Sequence, residues 1–71
     1  MTYNKQISLK AARVNTELSV DEAAERVGLT GPVLRKIENG QRRVTATEFK
    51  ALCDLYGFTL DDIFLPEKER N

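Results

Sequence analysis

The chain has no histidine and a single cysteine, Cys53. Without a second thiol there is no internal disulfide, and without histidine there are too few soft ligands for an ordinary zinc site. A reducing cytoplasm is the natural setting for such a chain. Only two prolines and four glycines interrupt it, and its charges are mixed, so a compact helical domain fits better than disorder. Net charge is also missing: eleven Lys and Arg are matched by eleven Asp and Glu. Composition therefore gives no support to nucleic-acid binding, which only a local patch could supply. No apolar run approaches the ~20 residues needed to cross a bilayer. The first residues, MTYNKQISLK, lack the long apolar stretch of a signal peptide. A cytoplasmic protein without membrane contact, metal or cofactor is expected. With 71 residues, the chain is expected to form one domain over 1–71, with 67–71 as a flexible charged tail. That size is marginal for a self-sufficient core, so dimerisation would help.

What the chain does have is punctuation. In SVDEAAERVGLTGPVLRKIENG, residues 19–40, Ser19 and Glu22 have the spacing of a capping box. Val20, Ala23, Ala24 and Val27 then recur on one helical face, and Gly28 can end the helix in a left-handed conformation. Leu29 can plug the turn, and Thr30 caps a second helix whose apolar stripe is Val33, Leu34 and Ile37. Gly40 stops it. Two helices of about two turns each, at 20–27 and 31–39, cannot bury their faces alone and need support from both flanks.

Upstream, residues 1–4 are expected to fray, and Asn4 can cap a first helix from about Lys5 to Asn15. Leu9 and Ala12 are its inward residues, with Ile7, Ala11 and Val14 as further candidates. Arg13 lies on nearly the same face as Leu9 and so calls for a carboxylate partner. Leu18 dips inward just ahead of the Ser19 cap, as a staple residue would. Downstream, Gln41-Arg42-Arg43-Val44 is a basic loop. Thr45 and Glu48 form a second capping box, and Phe49, Leu52, Cys53 and Tyr56 mark a fourth helix over 46–56, ended by Gly57. Thr59 and Asp62 signal a short fifth helix with Leu60, Ile63 and Phe64 inward, stopped by Pro66.

Five short helices with these words in these places resemble the Cro and repressor type of helix-turn-helix domain, the xenobiotic-response-element family. The residues that carry the resemblance are Leu9 and Arg13, SVDEAA at 19–24, VGLT at 27–30, IENG at 37–40, Leu52, Leu55, Tyr56-Gly57, and LDDIF at 60–64. They span nearly the whole chain. The resemblance implies an all-α, lambda-repressor-like fold with its helix-turn-helix at about 20–39. It also implies a largely buried structural ion pair between Arg13 and Glu38, which assigns Glu38 to the fold rather than to DNA.

In such domains the third helix lies in the major groove with its first residues at the base edges, and the start of the second helix meets the phosphates. The resemblance thus makes Ser19, Thr30, Gly31, Val33, Arg35, Lys36, Gln41, Arg42 and Arg43 the candidate DNA-binding residues. The chain departs from the family pattern at three of its positions. Val20 stands where a phosphate-binding glutamine is common, and Gly31 and Pro32 stand where polar base-reading side chains are common. Proline in the first turn suits a helix, so the fold survives while direct readout is depleted. Lys36, one turn beyond Pro32, is the best base-edge candidate, with guanine as its partner. Arg42 and Arg43 are better placed for phosphates or a narrow minor groove.

Blander readings stand beside these. The four cations from Arg35 to Arg43 could be an ordinary solvated surface. Val20 reads as core, and Val33 as either core or groove-facing. Cys53 reads as a small buried hydrophobe. Phe58, Phe64 and Leu65 either pack beneath the fourth helix or, if exposed, form a dimer surface. Asp61 and Asp62 sit in a first helical turn, where acids favour the dipole, and no histidine accompanies them, so an enzyme is not expected. Two functions follow. One is a small phage- or prophage-type transcriptional regulator, a homodimer on double-stranded palindromic DNA. The other is a protein-binding, antirepressor-like modulator that docks on another regulator protein through Gly31, Pro32 and Val33.

Overall fold

The computed structural model describes residues 6–65. Four α-helices follow one another: α1 (Leu9–Asn15), α2 (Val20–Arg26), α3 (Gly31–Glu38) and α4 (Ala46–Tyr56), then one 3₁₀ turn, Leu60–Asp62. Five helices are thus corrected to four and a turn. Three residues close no second α-helical turn, and the N–H groups of Asp62 and Ile63 reach back only three residues, to Thr59 and Leu60.

Every α-helix begins on a hydroxyl. Ser8, Ser19, Thr30 and Thr45 each accept a hydrogen bond from the backbone N–H three residues on. Ser19 with Glu22, and Thr45 with Glu48, complete reciprocal capping boxes. Helix α1 therefore starts after Ser8, not near Lys5. The preceding residue Ile7 is extended and forms a parallel bridge with Ile63. Asn4, Lys5 and Pro66, and the expected frayed start and mobile tail, lie outside the described residues.

Each helix also stops in the same way. A residue at positive φ is followed by one whose N–H donates to a carbonyl five residues back. Gly28, Gly40 and Gly57 fill the left-handed position after α2, α3 and α4. After α1 it is filled by Glu17, at φ 62°, and the Leu18 N–H donates to the Arg13 carbonyl at 3.3 Å.

The core gathers one face from every element: Leu9 and Ala12, Ala23 and Ala24, Leu34 and Ile37, Leu52, Cys53 and Tyr56, and Ile63. Burial raises the pKa of the Cys53 thiol, and pushes that of Tyr56 up to about 12. Leu18, Val20, Leu29, Val33 and Phe49 cover the rim of this core. Val14, Leu60, Phe64 and Leu65 are exposed. The inward assignment of Leu60 and Phe64 is therefore corrected: a 3₁₀ turn followed by an extended bridge directs only Ile63 to the core. The two ends of the described chain are tied together. The Ile7 N–H donates to the Asp62 carbonyl at 3.0 Å, the Phe64 N–H to the Ile7 carbonyl at 3.1 Å, and the Gln6 side-chain amide to the Asp61 carbonyl at 2.9 Å.

Candidate nucleic-acid interface

Helices α2 and α3 pack on each other more extensively than any other pair. The turn between them is closed by the Leu29 N–H, which donates to the Ala24 carbonyl at 2.8 Å. Gly31, Leu34 and Ile37 are the residues α3 buries. At helical spacing this leaves Pro32, Arg35 and Lys36 on the outer side, and all three are exposed. Thr30 is exposed at the N-cap and Val33 is half-buried at the rim. Ser19 is exposed at the start of α2, its hydroxyl engaged in the capping box. The Gln41 N–H continues the α3 ladder by donating to the Lys36 carbonyl at 2.8 Å, so the loop leaves the helix in a fixed direction. Gln41 and Arg43 are exposed on it.

Two ion pairs bracket this surface. Beneath it, Arg13 grips Glu38 with two nitrogens, Nε at 2.8 Å and Nη2 at 3.2 Å, while its Nη1 donates to the Leu18 carbonyl at 3.0 Å. One guanidinium thus ties α1, the start of α2 and the end of α3. The Glu38 hydrogen bond holds Arg13 still further above its ordinary pKa range. Beside the surface, Arg42 grips Glu48 at 3.0 and 3.3 Å and donates to the Arg43 carbonyl at 3.3 Å. Glu48 also caps Thr45, so the basic loop is clamped to the first turn of α4. The Arg42 hydrogen bond, with that from the Thr45 N–H, lowers the Glu48 pKa. Part of the Arg42 charge is thereby offset, whereas Arg35, Lys36 and Arg43 are exposed and belong to no ion pair among the described residues.

Two residues of this region escaped the sequence reading. Glu48 is legible as a cap, but six residues separate it from Arg42, a spacing that crosses a loop and has no helical signature. Asp21 lies against Gly31. A Cβ built on Gly31 would run into the Asp21 carboxylate, with Asp21 Cγ 3.3 Å away. No sequence spacing announces that contact, because it is made between two helices.

Two short helices joined by a tight turn, the second offering a cationic outer side, define a helix-turn-helix domain, the architecture that lays a helix in the major groove. The family model described as helix-turn-helix domain matches residues 7–63, and the chain belongs to that family. Comparisons with curated proteins and with solved structures returned no match. Among the described residues no helix is long and apolar enough to cross a membrane.

Proposed function

We propose that the protein is a small sequence-specific transcriptional regulator of the Cro or repressor type found in phages and prophages, acting in the cytoplasm on double-stranded DNA. Helix α3 enters the major groove, Lys36 meets a base edge, and Thr30, Arg35, Gln41 and Arg43 meet the flanking phosphates. Ser19 contributes at the start of α2, and Gly31 and Val33 line the approach. The observation that carries this reading is the outer side of α3, where Arg35 and Lys36 stand exposed and the chain runs on into exposed Gln41 and Arg43. The exposed side chains of Leu60, Phe64 and Leu65 suit a homodimer on a palindromic operator.

The test is a gel shift against DNA flanking the gene, over a range of salt. Binding should weaken by about 0.9 log units per log unit of salt for each phosphate neutralised. Lys36→Ala should relax sequence preference, and Arg43→Ala should weaken binding to all sequences and flatten the salt slope. Unchanged binding in both variants sinks the reading. A second reading, an antirepressor-like module that docks on another regulator, is favoured by the poor polar equipment of the α3 tip: buried Gly31, exposed Pro32 and half-buried Val33. Co-purification of a regulator by the wild type and by a Lys36→Glu/Arg43→Glu variant alike would favour it over DNA.

A further inference from the structure

The first residue of α3, Gly31, has no side chain, yet the space beside it is filled. The Asp21 carboxylate of α2 occupies the position that a Gly31 Cβ would take, and the Asp21 Cα would lie only 3.9 Å from that Cβ. Gly31 is buried under this contact while Asp21 itself is exposed. Asp21 is not one of the two capping-box residues, which are Ser19 and Glu22. Among the described residues it belongs to no ion pair. An exposed residue of α2 thus sets its carboxylate against the head of α3, at a position where α3 has no side chain of its own.

Resting on the reading of α3 as a groove-binding helix, we propose that Asp21 is a specificity-determining residue, and that it reads the amino group of a cytosine in the major groove. An ionised carboxylate only accepts hydrogen bonds. Cytosine presents only an N4 donor in the major groove, adenine sets an N7 acceptor beside its N6 donor, and guanine and thymine present oxygen acceptors there. Facing an acceptor, the carboxylate would be desolvated with nothing to bind, which turns the same group into a device against the wrong base. The readout that Gly31 and Pro32 cannot supply is thereby supplied from the preceding helix. Gly31 is required for it, because any side chain there would displace the carboxylate.

The experiment is selection from random duplex DNA with the wild-type chain, Asp21→Asn and Gly31→Ala, followed by affinity measurements on duplexes that vary the selected position. Asp21→Asn preserves shape and removes the charge. The wild type should prefer cytosine at one position by about tenfold, within the usual range for a good base contact. Asp21→Asn should lose that preference and keep the others, and Gly31→Ala should lose it at the same position. A purely structural role for Asp21 would shift melting and leave base preference alone, so unchanged preference in Asp21→Asn overturns the proposal. A uniform gain in affinity for every sequence overturns it too, since the carboxylate would then be only a repeller of phosphate. If the wild type selects no sequence, the DNA-binding reading itself has failed, and this inference falls with it. If Gly31→Ala does not fold, Asp21→Asn alone decides.

Discussion

Arg13–Glu38 and Arg42–Glu48 are both arginine–glutamate pairs held by two nitrogens, the first side-on through Nε and Nη2 and the second end-on through Nη1 and Nη2, and they stand in different surroundings. The side chains of the first are 13% and 3% exposed, those of the second 37% and 18%. The first joins α1 to α3 and, through Leu18, to the turn ahead of α2, and its residues are 25 apart in sequence; the second joins a loop to the helix that follows it, over 6 residues. Water can replace either partner of the outer pair at little cost, but it cannot reach Glu38. The same bond is therefore a strut beneath the helix-turn-helix and an adjustable clamp beside it. The clamp lies next to the surface that would meet a polyanion, where a phosphate can compete with Glu48 for the guanidinium.

The largest effect should come from breaking the strut. Arg13→Ala leaves the almost inaccessible Glu38 carboxylate without its partner, and Glu38→Ala leaves Arg13 with the Leu18 carbonyl alone; the first should cost roughly 3–5 kcal/mol and lower the melting temperature by at least about 15 °C in a domain of this size, the second somewhat less. Replacing both together with apolar residues of similar volume should cost less than either single change. Thermal melts of the three variants decide it. A melting temperature within a few degrees of wild type for Arg13→Ala would mean that the two pairs do not differ in kind.

Next comes the cap that the clamp shares. Thr45 accepts from the Glu48 N–H at 3.1 Å while the Glu48 carboxylate accepts from the Thr45 N–H at 3.0 Å. Thr45→Ala should cost about 1 kcal/mol, and it should also loosen the loop that carries Arg43. Amide exchange across residues 41–48 provides the second readout; a loss of stability without faster exchange there would place the clamp's anchor elsewhere.

The turn under the strut should respond in the opposite direction. Glu17 holds a left-handed conformation that costs a side chain about 1 kcal/mol relative to glycine, and Arg13 steadies the adjoining Leu18 carbonyl. Glu17→Gly should therefore raise stability by up to ~1 kcal/mol in a melt. A loss would show that Glu17 makes contacts worth more than the strain.

Glu17 also marks where sequence reading stops. Hydroxyl caps and glycine stops are local signals, and they placed α2, α3 and α4 to within a residue or so. The end of α1 uses the same turn with no glycine, and its start depends on Ser8 and on a bridge between Ile7 and Ile63, partners 56 residues apart. That bridge is also why Phe64 faces solvent although its spacing looks helical. At the candidate interface the exposure of Arg35 and Lys36 follows from helical periodicity alone. The contact of Asp21 with Gly31 and the grip of Glu48 on Arg42 depend on how close two elements come, and periodicity does not carry that distance.

The smallest effect on stability should be that of the clamp itself, and it should depend on pH. Glu48 titrates below its ordinary 4.5, chiefly because the Arg42 guanidinium and the Thr45 N–H donate to its ionised form. A carboxyl depressed in the folded state binds its proton more readily when unfolded. Its contribution is therefore complete above about 4.5 and is lost as pH falls through the lower, folded value. Glu48→Gln removes that contribution at every pH. The stability difference between wild type and Glu48→Gln should be small at pH 7 and should shrink towards zero as pH drops below 4.5. It should also shrink as salt rises at pH 7, since the Arg42 side chain is partly open to solvent. Urea midpoints along the two series measure both. A difference that salt does not reduce, or one as large as that of Arg13→Ala, would show that the outer pair is a second strut and that Arg42 is not available to a phosphate.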